Sequence, residues 1–233
     1  MSGNVLTLLT PAAVLFDMDG TLVDTDGLWL AAERGLYREY AAAGGEVASV
    51  GLPAEAERAL EGASLPECAR VLRKAGVDLP AEDIEERLVA SVERELTGSA
   101  IPWANGAIAF LDRLIAADVP SVLVTGTPMR IVRHVLAAAP AGAFSDDGGA
   151  VLAITGDSPL PAKPAPDRYL EAARMAGAPI ERCLVVEDSG TGIRAGLASG
   201  ARVVALTALA RTPAPSDPRY RRIRDFTELR LGD

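Results

Sequence analysis

The chain has 233 residues, 49% of them hydrophobic, which is enough to bury a sizeable core and excludes disorder for the bulk. Its 32 acids against 23 bases give a net charge of -9, which disfavours nucleic acid or an anionic membrane as the main partner, so an anionic substrate would need a local positive charge. Two cysteines, Cys68 and Cys183, are too few for a disulfide framework and lack metal-ligand spacing; they read as small buried hydrophobes in a protein expected in a reducing cytoplasm.

Met1 to Phe16 is apolar but holds no Lys or Arg, and Pro11 interrupts it, so it does not read as a signal peptide. No apolar run approaches the roughly 20 residues that span a bilayer. Val14-Leu15-Phe16 reads as a buried parallel strand that runs into Asp17-Met18-Asp19-Gly20-Thr21. Leu28, Ala32, Leu36 and Tyr40 then recur at four-residue spacing, predicting a helix that stops near Gly44-Gly45. Ser64 with Glu67 fits a capping box ahead of Ala69 and Leu72, with Gly76 as terminator. Pro80 opens an acidic helix whose buried face is Ile84, Leu88, Val92 and Leu96.

From Ile101 the text alternates: helices at 106–117, 129–139, 167–176 and 192–199, strands at 121–124, 152–155, 184–186 and 203–206. That alternation predicts a parallel sheet with its first strand separated from the rest by a wholly helical insertion. Ala210 to Pro218 reads as a flexible surface stretch, and Arg219, Arg221, Arg222 and Arg224 as a solvated basic face. His134 reads as a packing or surface residue, and Trp29 and Trp103, at the two ends of the insertion, as interface packing more than cleft lining.

Four strand ends carry chemistry. Asp17 and Asp19 close an apolar strand where ligands of open α/β sheets gather; two carboxylates there repel unless a cation lies between them, and one can attack while the other moves protons. Thr125-Gly126-Thr127-Pro128 offers a hydroxyl and backbone N–H groups to a phosphate, although a helix cap at Thr127 accounts for much of the same text. Lys163, one of only two lysines beside 21 arginines, sits between Pro161 and Pro164 on a stiffened turn, where a compact charge suits a phosphate oxygen. Glu187-Asp188 closes another apolar run with hard oxygen ligands of the kind magnesium prefers, and Ser189 reads as a helix cap.

In this order and across almost the whole chain, the four segments resemble the motifs of the haloacid dehalogenase superfamily, whose phosphatases carry DxDGT at the first. The resemblance implies an α/β fold with a Rossmann-like parallel-sheet core, residues 1–24 and 100–233, and an inserted α-helical cap domain, residues 25–99. It implies that Asp17 is the nucleophile and Asp19 the proton shuttle, that Thr125, Gly126 and Lys163 bind the phosphoryl group, and that Mg2+ sits on Asp17, the carbonyl of Asp19 and Asp188, with Glu187 supporting from behind. The family's dehalogenases lack an acid where Asp19 stands, so the implied reaction is phosphoryl transfer through an aspartyl-phosphate.

Asp24 to Trp29, Ala32-Glu33, Leu60 to Ser64 and Asp217 to Tyr220 look similar to the family's sugar- and hexitol-phosphate phosphatases. The implied substrate is a small phosphorylated sugar or polyol, for a monomer or small homo-oligomer. A β-phosphoglucomutase shares the four motifs, but its cap has a basic residue after the serine where this chain has Leu65. Phosphoglycolate phosphatase is a further reading inside the family, and a catalytically inactive binding protein the one outside it.

Overall fold

The computed structural model describes residues 5–40, 51–207 and 216–232. They fall into two compact units, Met1–Asp24 with Ile101–Asp233, and Thr25–Ala100.

The first unit is built on β2 (Ala13–Phe16), every residue of which is fully buried. A strand covered on both faces has no polar side, which is why it reads as an unbroken apolar run. It pairs in parallel with β3 (Ser121–Val124) on one side and β5 (Cys183–Glu187) on the other. With β4 (Ala153–Ile154), β6 (Arg202–Leu206) and β7 (Tyr220–Ile223) they form a six-stranded sheet of order β4-β3-β2-β5-β6-β7, parallel throughout. Alternation divides the core. Ala13 and Leu15 join Val124, Val185 and Tyr169 in one buried cluster. Phe16 meets Phe110, Phe144 and Phe226 at centroid distances of 6.1, 5.9 and 6.1 Å. Helices α5 (Ala107–Ala116), α6 (Met129–Ala138), α7 (Asp167–Met175) and α8 (Gly190–Ser199) lie within one or two residues of their predicted bounds.

Two pieces of this unit were not predicted. β1 (Leu6–Leu9) pairs in parallel with β8 (Leu229–Gly232), tying the two ends of the described chain together. The basic cluster contains β7, an edge strand on which Tyr220 and Ile223 are buried while Arg221 and Arg222 face solvent. Charged side chains on a sheet edge discourage pairing with another strand. Of the stretch 210–218, residues 210–215 lie outside the described residues.

The second unit is helical. α1 (Asp26–Tyr40) buries Ala32, Glu33, Leu36 and Tyr37; the predicted stop at Gly44-Gly45 lies outside the described residues. α2 (Ala54–Leu60) is a seven-residue helix with no predicted counterpart. α3 (Leu65–Lys74) starts after Ser64, but the capping box does not form, since the Ser64 side chain makes no capping bond. Pro66 removes one of the amides that such a cap would satisfy, and the Glu67 carboxylate accepts from Arg70 at 2.8 Å instead. α4 (Ala81–Thr97) buries Ile84, Leu88, Val92 and Leu96 on the predicted face and packs on α1 and α3. No described helix is long and apolar enough to cross a membrane.

Glu33 is an acid inside this unit, 4% exposed, with the Cys68 thiol of α3 donating to Oε1 at 3.6 Å. Burial raises its pKa from 4.5 to about 7, helped by repulsion from Glu57 and Asp26 and opposed by the thiol. Folded Glu33 thus keeps a proton across a window in which the unfolded chain has released it. Stability is fully present below 4.5 and is lost as pH rises through about 7. Each pH unit inside that window is worth ~1.4 kcal/mol. Glu33→Gln, which cannot ionise, is therefore expected to match wild type at acid pH and to exceed it by up to about 3 kcal/mol above neutrality. Urea titrations at acid and alkaline pH check this; an equal effect at both would contradict it.

Candidate active site

The carboxyl ends of β2, β3 and β5 converge because these strands are parallel neighbours, with β2 at the reversal of strand order. Asp17 leaves β2 with its amide bonded to the Val186 carbonyl at 3.0 Å. The chain then folds back: the Met18 carbonyl accepts from the amides of Thr21, Leu22 and Val23, and Gly20 takes φ +73°, a conformation that glycine adopts without strain.

Lys163 is the hub. Its Nζ donates to Asp17 Oδ1 at 2.5 Å, Glu187 Oε1 at 2.7 Å and the Val124 carbonyl at 2.9 Å, and it stands 5.1 Å from the Tyr169 ring centre. Both oxygens of the fully buried Glu187 are engaged. Oε1 also accepts from the Tyr169 hydroxyl at 2.6 Å, and Oε2 accepts from the amides of Asp188 and Ser189, both at 3.2 Å, and from Ser189 Oγ at 3.0 Å. The Gly192 backbone lies so close that a Cβ there would overlap this carboxylate. Ser189 caps α8 as well, accepting from the Gly192 amide at 3.0 Å.

Oxygens of Asp17, Glu187 and Asp188 lie within 4.8 Å of one another. Thr21 Oγ1 donates to Asp188 Oδ1 at 2.7 Å and fixes that side chain. Three carboxylates face one ammonium, and the pKa directions follow. Burial, then the charge of Glu187, holds Asp17 well above the usual carboxylate range despite the opposing Lys163. Burial alone would lower the Lys163 pKa, but the carboxylates of Asp17 and Glu187 drive it up, so it stays an ammonium. The Tyr169 phenol is raised by burial and by Glu187, so it keeps its proton as a donor.

Asp19 is held from β3. Its Oδ2 accepts from Thr127 Oγ1 at 2.6 Å and from Thr125 Oγ1 at 3.3 Å, while the Thr125 hydroxyl accepts from the Thr127 amide at 3.0 Å. The alternative reading of Thr127 as a helix cap does not describe this residue: α6 begins after Pro128, and Asp157 Oδ2 accepts from the Met129 amide at 2.7 Å. Gly126, in the same turn, is exposed, and no described group accepts from its N–H.

Asp17, Lys163, Glu187 and Asp188 therefore meet in one cluster, with Asp19 and Thr125 linked by a hydrogen bond across the turn of Gly126. Sequence reasoning missed Thr127, Thr21 as the holder of Asp188, and Tyr169. His134 is half-buried on α6. Trp103 bridges Val23 and borders a cavity of about 200 Å³ with Asp24 and Asn105; Trp29 is half-buried on α1.

The model of the family described as haloacid dehalogenase-like hydrolase matches residues 11–200. Hexitol phosphatase A of Escherichia coli (strain K12) is 32% identical over 203 residues, which are 85% of this chain and 84% of that protein. Phosphoglycolate phosphatase of Pseudomonas syringae pv. syringae is 29% identical over 205 residues, 84% of this chain and 70% of that protein. Among solved structures, CbbY from Rhodobacter sphaeroides in complex with phosphate has a TM-score of 0.75 at 24% identity, covering 94% of this chain and 96% of that one.

Proposed function

We propose, from the premise that this chain belongs to the haloacid dehalogenase-like hydrolases and is a phosphoric monoester hydrolase, that it acts on a small phosphorylated sugar or polyol through Asp17 and Asp19. The observation that carries this reading is the buried Asp17 carboxylate, aimed from a strand end and held by Lys163 among further carboxylates. Similarity to a hexitol phosphatase over most of both chains supports the substrate class.

In the proposed reaction Asp17 attacks phosphorus, forming the carboxylate–phosphorus bond as the ester P–O bond breaks, and Asp19 passes its proton to the departing alkoxide. Asp19, now a carboxylate, takes a proton from water as the water oxygen bonds to phosphorus and Asp17 is released. The sum is ester plus water giving alcohol plus phosphate. Thr127 aims Asp19, while Thr125, turning its hydroxyl from the longer bond to Asp19, the Gly126 amide and Lys163 hold phosphoryl oxygens. The inserted helices are proposed as the cap domain that selects the alcohol.

The cluster fits a magnesium ion. Three carboxyl groups share a single ammonium, so the cluster has room for further positive charge, and every candidate ligand is a hard oxygen. Asp17, Asp188 and the Asp19 carbonyl would hold the ion, with Glu187, already bonded through both oxygens, supporting from behind. Magnesium supplies charge neutralisation between the nucleophile and the phosphate dianion. Adding Mg2+ at about a hundred times its Kd is expected to stabilise the fold by about 2.7 kcal/mol, raising Tm by roughly 5–10 °C, reversibly with chelator. Thermal unfolding reads this, and an unchanged Tm would rule the ion out.

The function is tested by phosphate release from a panel of sugar, polyol, glycolate and nucleotide phosphates with Mg2+ and with chelator, beside isomerisation of β-glucose 1-phosphate. Metal-dependent release concentrated on sugar or polyol phosphates is expected. Preference for phosphoglycolate would change the substrate, isomerisation without release would replace hydrolysis by mutase chemistry, and neither activity would leave a binding protein.

A further inference from the structure

Arg168, on the first turn of α7, is 6% exposed, and among the described residues no carboxylate pairs with it. Burial lowers its pKa, as expected of a cation without a counter-ion. Its donors go to two backbone carbonyls: Nη1 to Thr125 at 3.0 Å, and Nε and Nη2 to Leu160, each at 3.4 Å. A buried, unneutralised guanidinium is costly, and replacing it by an apolar side chain would remove that cost. Its position gives it a use. The Thr125 carbonyl belongs to the same peptide unit as the N–H of Gly126, an exposed residue whose N–H has no described acceptor. Leu160 opens the Pro161 to Pro164 strap that carries Lys163.

We propose that Arg168 is a positioning residue for anion binding: by binding the Thr125 carbonyl it polarises the Thr125–Gly126 peptide, making the Gly126 N–H a stronger donor to a phosphoryl oxygen. Through Leu160 it also holds the Lys163 strap against the same turn. Hydrogen bonds in a chain reinforce one another, and a charged donor at one end has the largest effect where water is excluded. The positive charge of Arg168 reaches phosphate through a backbone dipole, so the site binds a dianion more tightly than its exposed groups alone would allow. This rests on the reading of Thr125 and Gly126 as the phosphoryl-binding turn.

The test compares wild type with Arg168→Met, which keeps apolar length, and Arg168→Lys, which keeps charge without the planar fork. Competitive inhibition by inorganic phosphate, KM and kcat for p-nitrophenyl phosphate with Mg2+, and Tm are measured for each. Arg168→Met is expected to weaken phosphate inhibition at least about tenfold and to raise KM in parallel, with a smaller change in kcat, as for the loss of a charged hydrogen bond. Arg168→Lys should fall between the two. A lowered Tm with unchanged phosphate inhibition would make Arg168 a loop clamp only and overturn the proposal. If Arg168→Met does not fold, Arg168→Lys decides by the same criterion. Wild type that neither turns over p-nitrophenyl phosphate nor binds phosphate would overturn the phosphatase reading itself; normal wild-type behaviour with unaffected variants would overturn the role of Arg168 alone.

Discussion

Asp17→Asn is expected to lose phosphatase turnover by a factor of at least about 10^4 while remaining folded, the scale seen when an enzyme's nucleophile is removed. The substitution is nearly isosteric, and the amide oxygen can still accept from Lys163, which sits 2.5 Å from Oδ1 in the native protein. What disappears is the ionisable carboxyl and, with it, the proposed nucleophile. Because burial and Glu187 already hold Asp17 above the ordinary carboxylate range, losing that carboxyl relieves repulsion in the metal-free protein. Its Tm without Mg2+ should therefore equal or exceed that of wild type, while stabilisation by Mg2+ shrinks, since one proposed ligand is gone. Loss of activity with loss of fold would leave the role of Asp17 undecided, so the two Tm readings carry as much weight as the rate. A folded Asp17→Asn protein that released phosphate at the wild-type rate would sink the mechanism.

The elements that were legible in the sequence are those whose burial leaves a local signature. β2, β3 and β5 are buried along their whole length, so each reads as a short apolar run closed by a polar residue. α4 keeps one face inward for four turns, and Ile84, Leu88, Val92 and Leu96 record it. β1 has no such signature. Its pattern alternates between half-buried and exposed, and its partner β8 lies at the other end of the chain. β7 hid behind Arg221 and Arg222, which describe its solvent side, while Tyr220 and Ile223 carry the packing. α2, at seven residues between Pro53 and Gly62, is too short for periodicity to declare itself.

The site divides in the same way. Asp17, Lys163, Glu187 and Asp188 stand at strand ends or on a stiffened turn, positions that sequence alone marks as unusual for charge. The groups that aim them do not stand out: Thr21 reaches Asp188 across 167 positions and Thr127 reaches Asp19 across 108. Each is a residue type at home in a turn or cap, so only closure of the sheet shows what it holds. Arg168 looked like one of 21 arginines until its burial was seen.

Removing the ammonium should affect both stability and rate. Lys163→Met leaves the carboxylates of Asp17 and the fully buried Glu187 without the cation that now bonds both, at 2.5 and 2.7 Å. Breaking a buried pair by deleting one partner costs about 3–5 kcal/mol, or a Tm lower by roughly 10 °C in a chain of this size. The deficit has a predictable sign with pH. Burial already holds Asp17 above the ordinary carboxylate range, and without the opposing ammonium it takes up a proton more readily still in the folded state, so the deficit is largest at neutral pH and shrinks as pH falls toward the carboxylate range. Mg2+ can return part of the lost charge and should recover part of the Tm. It cannot return the ammonium that sits against Asp17, so turnover should stay at least about a hundredfold down, the scale for losing one preorganised electrostatic group. Thermal unfolding across pH, with and without Mg2+, together with phosphate release, separates the two effects. If Mg2+ restored turnover along with Tm, Lys163 would be a structural counter-ion and its phosphate contact would have to be abandoned; a variant as stable as wild type would remove the buried ion pairs from any account of this fold.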